Sequence, residues 1–300
     1  MTSKTPSRPN RTFLFAPGNH PRKVEKSFGA GADAVILDLE DATAVAEKIP
    51  TRATVVEALK QSRTCRGYVR VNAIDTEYCF GDLETVIGPW LDGIVLPKLE
   101  SVSDLETVDW TMANFERRAG LPVGSVDLMP IIETARGLAA ARDICAAGSR
   151  IRRISFGAGD YTRDLNLQWT FEEAEIAAVR SELVLASRLG EIEPPIDTVF
   201  IHIKEDEVFA RSSRKGREFG FQGRLCIHPN QIAPANVAYT PTDEEAEWAR
   251  HIISSFDAAE ADGSASIQVD GYFVDYPIVE KAQRIVDLYD AVKAHQAADG

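Results

Sequence analysis

Glu133 and Asp160 are the side chains best placed in the sequence to do chemistry, because each follows an apolar run, Leu128–Ile132 and Ile154–Phe156. If those runs are neighbouring strands, two carboxylates lie side by side at one rim, and two anions there need a cation. Hard oxygen donors with no Cys or His beside them suit Mg²⁺, which keeps water and substrate as its other ligands. The competing arrangement pairs each carboxylate with an arginine such as Arg136 or Arg163. Arg70 ends a further run, Tyr-Val-Arg-Val-Asn, where its planar fork can clamp a carboxylate or ketone oxygen. It can also pair with Asp38, Glu40 and Asp41, and both hold at once if that acidic cluster orients it.

The same bias recurs along the chain. Just past each apolar run stand Phe15–Asn19, Asp38-Leu39-Glu40-Asp41, Arg70 with Asn72, Pro97-Lys98, Glu133-Thr134, Gly157–Asp160, His202 and His228. A purely structural scaffold has no reason to end its strands this way, so the pattern points to an enzyme. Pro17-Gly18-Asn19-His20-Pro21-Arg22-Lys23 opens a helix, where backbone N–H groups favour phosphate. Arg22 and Lys26 sit one turn apart on it, as an anion-binding patch or as a solvated face. His228 reads as a packed rim residue, His202 has no assigned task, and Cys226 reads as core.

The elements that must position these groups follow from periodicity. Strands are expected at Thr12–Ala16, Ala34–Leu37, Gly67–Val71, Gly93–Leu96, Asp127–Ile132, Arg153–Phe156, Asp197–Ile201 and Gly223–Ile227. Most are continuous apolar runs, the mark of strands buried on both faces of a parallel sheet. Helices are expected at Pro21–Gly29, Ala53–Lys60, Val102–Arg118, Ala135–Ala147, Glu172–Leu189 and Asp206–Lys215. Eightfold alternation over this length predicts an α/β fold, a (β/α)8 TIM barrel, over residues 11–235. A doubly wound sheet is the alternative, but no GxGxxG turn follows the first strand. Residues 236–300 break the pattern and form a C-terminal extension. It holds a helix from Thr242 opened by a Thr-x-x-Glu capping box, a hairpin around Asp270-Gly271 and a last helix from Pro277.

Composition sets the outer limits. The chain has 300 residues, 44% apolar and 26% charged, which is ordinary for a globular protein. Its 46 acidic and 33 basic residues give a net charge of −13, which disfavours nucleic acid and anionic membranes as partners. No apolar run is long enough to span a bilayer. The polar, basic first eleven residues do not resemble a secretory signal. Cys65, Cys79, Cys145 and Cys226 are far apart, as expected of idle thiols in a reducing cytoplasm.

With these stretches in view, the chain resembles the citrate lyase beta subunit-like family, which includes malyl-CoA and citramalyl-CoA lyases, within the HpcH/HpaI aldolase superfamily. The matching stretches are FLFAPGN (13–19), GADAVILDLEDA (31–42), VRVN (69–72), DGIVLPKLE (92–100), PIIETARG (130–137) and SFGAGD (155–160). GFQGRLCIHPNQI (220–232), TPTDEEAEWA (240–249) and DGYFVDYP (270–277) match as well. The resemblance implies a Mg²⁺-dependent lyase that cleaves or forms a β-hydroxyacyl-CoA, yielding acetyl-CoA and an oxo-acid. It implies Glu133 and Asp160 as metal ligands and Arg70 on the oxo-acid. Phe15, Arg22 and Lys26 match coenzyme A contacts, and Ile196 and Asp197 are counted with the substrate-binding set. Asp38 and Glu40 join the catalytic group as orienters of Arg70. Asp275 is implied as the proton donor, acting in a neighbour's site within a homotrimer or hexamer. Two positions depart from the family: Gly159 stands where many members carry Glu, and His202 where a smaller or acidic residue is commoner. The rivals are a CoA-independent aldolase, which needs Arg70 and the metal but not Arg22 or Lys26, a citrate lyase beta subunit acting on an acyl-carrier-protein thioester, and a non-catalytic member.

Overall fold

A computed structural model describes residues 9–299, which divide into two compact units, Asn10–Asn236 and a second from Val237 onward. In the first, eight parallel strands close into a barrel in chain order: β1 (Thr12–Pro17), β2 (Ala34–Asp38), β3 (Arg66–Arg70), β4 (Gly93–Leu96), β5 (Asp127–Ile132), β6 (Ser155–Phe156), β7 (Ile196–Asp197) and β8 (Gly223–Cys226). The helices are α1 (Pro21–Phe28), α2 (Lys48–Leu59), α3 (Cys79–Val86), α4 (Val102–Arg118), α5 (Ala135–Ala146), α6 (Ala158–Asp164), α7 (Ala177–Leu189), α8 (Asp206–Phe219) and α9 (Ile232–Ala238). No described helix is long and apolar enough to cross a membrane.

The apolar runs are buried on both faces, as their composition requires: every residue of β2, β4 and β5 is buried. Phe13, Ala34, Ile36, Tyr68, Val95, Met129, Ile131, Ile196 and Leu225 pack together as one cluster of the core. Register then fixes what stands at the rim: Pro17 pairs with Asp38, Asp38 with Arg70, and Ile132 with Phe156. The barrel closes where β8 meets β1, with Arg224 N–H donating to Arg11 O at 2.9 Å. Only glycine fits at Gly223, since a Cβ there would lie 1.8 Å from the Asn10 carbonyl oxygen.

The strands expected at Arg153–Phe156 and Asp197–Ile201 are each reduced to two residues. Arg153 is instead spent on ion pairs with Asp127 and Glu193 at 2.5 and 2.6 Å. Past Asp197 the chain follows side-chain hydrogen bonds rather than a ladder. Helices α3 and α6 were not foreseen, being short and carrying Asp, Gly and Thr, which are poor helix formers. The long helix expected from Glu172 begins only at Ala177.

In the second unit α10 (Asp243–Ala261) starts at the foreseen capping box: Glu245 N–H donates to Thr242 Oγ1 at 3.1 Å, and Thr242 N–H to Glu245 Oε2 at 2.8 Å. β9 (Ser266–Val269) and β10 (Tyr272–Asp275) form the hairpin, with Asp270 and Gly271 at φ of 48° and 82° as a type I′ turn requires. α11 (Tyr276–Asp299) follows. Ala249, Ile252, Phe256, Val269, Val274 and Ala282 form this unit's core.

Candidate active site

The carboxyl ends of β2 to β6 bring Asp38, Arg70, Lys98, Glu133 and Asp160 to one rim. Asp38 takes Arg70 from two sides, accepting from Nε at 2.7 Å and from Nη2 at 2.6 Å. Glu40 Oε2 lies 2.9 Å from Arg70 Nη1, without the alignment of a hydrogen bond. The guanidinium also lies 4.8 Å from the ring centroid of the half-buried Phe15. Arg70 is thus clasped edge-on by Asp38 through two of its five N–H groups.

Burial pushes the Asp38 carboxyl up, but the Arg70 charge and hydrogen bonds, helped by the N–H groups of Glu40 and Ala42, win and hold it below its ordinary value. At Glu40 burial wins over Arg70 and Lys98, and the group is raised. The clasp itself hangs on a lysine that sequence reasoning missed. Lys48, 9% exposed, donates to Leu39 O at 3.1 Å, Glu40 O at 2.9 Å and Asn72 Oδ1 at 2.5 Å. Nothing in its helix pattern signals that role, because its partners, two backbone carbonyls and the Asn72 side chain, lie in other loops.

Glu133 is 3% exposed, and its Oε1 accepts the Lys98 backbone N–H at 2.9 Å. Burial first, then the negative charge of Glu40, pushes its carboxyl up to about 8, against the pull of Arg70 and Lys98. The Asp160 charge adds to the rise, so the two carboxylates feel one another. Gly157 makes room here: a Cβ at that position would come 2.4 Å from Glu133 Oε2. Asp160 sits in the first turn of α6 rather than at a strand end and pairs with Arg163 at 2.6 Å. The arginine-pairing alternative therefore describes Asp160, whereas among the described residues no arginine forms an ion pair with Glu133.

The supports of these two residues interlock. Thr134, next to Glu133, caps α5 by accepting from Gly137 N–H at 3.0 Å, and Asp164 at the end of α6 accepts from Ala135 N–H at 2.8 Å. Among the described residues no group of three or more His, Cys, Asp or Glu side chains is arranged to hold a metal. Two carboxylates are nevertheless enough for Mg²⁺, whose other positions go to water and substrate. A buried carboxylate with the negative charges of Glu40 and Asp160 close by fits a hard cation.

Ile196 and Asp197 are a correction. Both are fully buried, Ile196 in the barrel core and Asp197 in a fork with Arg180 at 3.1 and 2.9 Å. Neither can touch a ligand unless the residues covering it move. Asp197 instead accepts the Thr198 N–H at 2.9 Å, and Thr198 Oγ1 accepts from Ala158 N–H at 2.8 Å, so this pair steadies the start of α6. Arg22 and Lys26 lie exposed on α1. His228 proves to be a cap, its Nδ1 accepting from Asn230 N–H at 3.2 Å. His202 is exposed and packs edge-on to Phe171 and Phe200, with centroids 4.6 and 5.7 Å away. Asp275 lies half-buried in the second unit, accepting from Ile278 N–H at 3.4 Å.

Comparison with known proteins follows the same lines. Residues 11–229 match the family model described as HpcH/HpaI aldolase/citrate lyase. The chain is 34% identical over 286 residues to the citrate lyase subunit beta of Leuconostoc mesenteroides subsp. cremoris, covering 95% of this chain and 94% of that one. It is 31% identical to an L-malyl-CoA/beta-methylmalyl-CoA lyase of Cereibacter sphaeroides, covering 96% and 97%. Among solved structures, CitE from Mycobacterium tuberculosis in complex with magnesium, acetoacetate and coenzyme A aligns with a TM-score of 0.75 and 28% identity, covering 95% of this chain and all of that one.

Proposed function

The chain belongs to the HpcH/HpaI aldolase/citrate lyase family and is a carbon–carbon lyase, and on that footing we propose that it is Mg²⁺-dependent and cleaves, or in reverse forms, a β-hydroxyacyl-CoA such as malyl-CoA or citramalyl-CoA. The products are acetyl-CoA and glyoxylate or pyruvate. The observation that carries this reading is the convergence of Glu133, just past β5, and Asp160, in the first turn of the helix that follows β6, beside an arginine held from behind by two carboxylates.

Glu133 and Asp160 would hold Mg²⁺, which when bound would supply Lewis-acid stabilisation of negative charge on substrate oxygens. Arg70 turns its other N–H groups to the oxygen that becomes the oxo-acid carbonyl. Asp38 and Glu40 touch no substrate; they keep the guanidinium charged and in place. As the substrate hydroxyl gives up its proton to solvent and the carbon–carbon bond breaks, the bond's electron pair moves to the α-carbon of the thioester, which must gain a proton. Asp275 donates it, and in condensation removes it. Phe15 lines the substrate's path, and Arg22 and Lys26 meet the phosphates of coenzyme A. The tail acts in a neighbour's site, within a homotrimer or hexamer. Four buried, unpaired cysteines fit a reducing cytoplasm as the place of work.

The test is release of glyoxylate or pyruvate from malyl- and citramalyl-CoA, with Mg²⁺ and with EDTA. Metal-dependent release from one of them is expected. Release from neither, with the cation still bound, sinks the thioester reading. The likeness to citrate lyase subunit beta favours one further arm, a citryl thioester on an acyl carrier protein. Competition by free CoA separates both from an aldolase acting on a free hydroxy-oxo-acid.

A further inference from the structure

Lys98 has no task in the reaction just outlined, yet its backbone is strained at the centre of the site. It is a non-glycine residue at φ +51°, in the left-handed region that side chains other than Gly and Asn enter at a cost. Outliers of this kind persist where the surroundings over-determine them. Two contacts do so here. The Lys98 ammonium reaches the carboxylates of Glu40, by a direct hydrogen bond, and of Asp41 at 3.8 Å. The backbone N–H, turned by the left-handed bend, donates to Glu133 Oε1 at 2.9 Å. The other oxygen, Oε2, packs close to Gly157, where a Cβ would come within 2.4 Å of it.

We propose that Lys98 is a positioning residue that fixes which oxygen of Glu133 is offered to the cation: its N–H caps Oε1 and leaves Oε2 as the donor. The ammonium clamped by Glu40 and Asp41 holds the strained backbone in that pose. This rests on the reading of Glu133 as a metal ligand. A hydrogen bond to one oxygen of a ligating carboxylate orients the other, as partners behind metal ligands generally do.

The experiment measures Mn²⁺ binding, by the electron paramagnetic resonance of the free ion, to the whole protein without substrate. The variants are Lys98→Gly, Lys98→Asn, Lys98→Ala and Lys98→Val. All four remove the same charge, so an effect of charge alone moves them together. They differ in tolerance of positive φ. Gly and Asn should agree within about threefold, and Ala and Val should bind roughly tenfold or more weakly. If Val does not fold, Ala alone carries the contrast. Equal affinity in all four, or Asn grouping with Val, overturns the proposal while leaving the metal reading intact. No Mn²⁺ binding by the wild type, or binding undiminished in Glu133→Gln, overturns both.

Discussion

At the residue scale, Arg70 and Glu133 make opposite demands on charge. Arg70 is engaged through a planar fork that a lysine cannot copy. Arg70→Lys should therefore lower kcat/KM by about 100-fold or more while leaving Mn²⁺ binding in place, read from steady-state rates beside a binding titration. Glu133 holds its proton to about pH 8 in the folded chain, against an ordinary value of 4.5. Between those values the folded state binds more protons than the unfolded one, so stability falls as pH rises from about 4.5 through about 8. Urea midpoints in EDTA across that range should show the wild type losing ground to Glu133→Gln, by about 1 kcal/mol per pH unit. Parallel lines for the two proteins would remove the claim that this carboxylate titrates high. That Glu133, Asp160 and Arg70 gather at one rim was legible in the sequence, because polar side chains at or just past the exits of buried strands have few structural reasons to be there. Lys98 was read only as one of the polar residues just past a strand, and Lys48 not at all, because their partners depend on loop conformation, which residue type does not reveal.

At the element scale, the fold was legible where burial alone shapes a strand and illegible where polar contacts replace the ladder. β2, β4 and β5 are wholly apolar in environment and fell within a residue of their expected bounds. β6 begins only after Arg153, whose side chain pairs with Glu193, and β7 ends at Asp197, whose carboxylate is held by Arg180. Asp197 looked like a rim residue for the same reason: an acidic side chain after an apolar run reads alike whether it faces the mouth or a buried arginine. At the seam between β8 and β1 a methyl group at Gly223 would collide with backbone rather than with a side chain able to turn. Gly223→Ala should cost about 1–3 kcal/mol in denaturant midpoint. An unchanged midpoint would mean that the strands part there without strain.

At the scale of the whole molecule, the barrel and the tail hold different parts of the proposed reaction. Asp275→Asn should abolish turnover yet bind Mn²⁺ as the wild type does. Full activity would remove it as the acid. Chains carrying Asp275→Asn, co-expressed with chains carrying Glu133→Gln, should regain activity, to about a quarter of wild type by random assortment, if each site draws its tail from another subunit. No recovery in mixed oligomers would place both halves of the site within one chain. The tail's hairpin and capped helix were legible from local turn and cap chemistry, whereas Asp275 was found only by family resemblance, because no spacing links it to the barrel's carboxylates. The cysteines have a practical consequence. All four are buried, and burial pushes the thiols of Cys79, Cys145 and Cys226 up to about 12 and raises that of Cys65. The native chain is therefore nearly silent to maleimides. At Gly159, one residue from Asp160, an added Cβ meets nothing within 4 Å. A single cysteine placed there becomes a lone attachment point for a dye or spin label at the mouth, with no native thiol removed first.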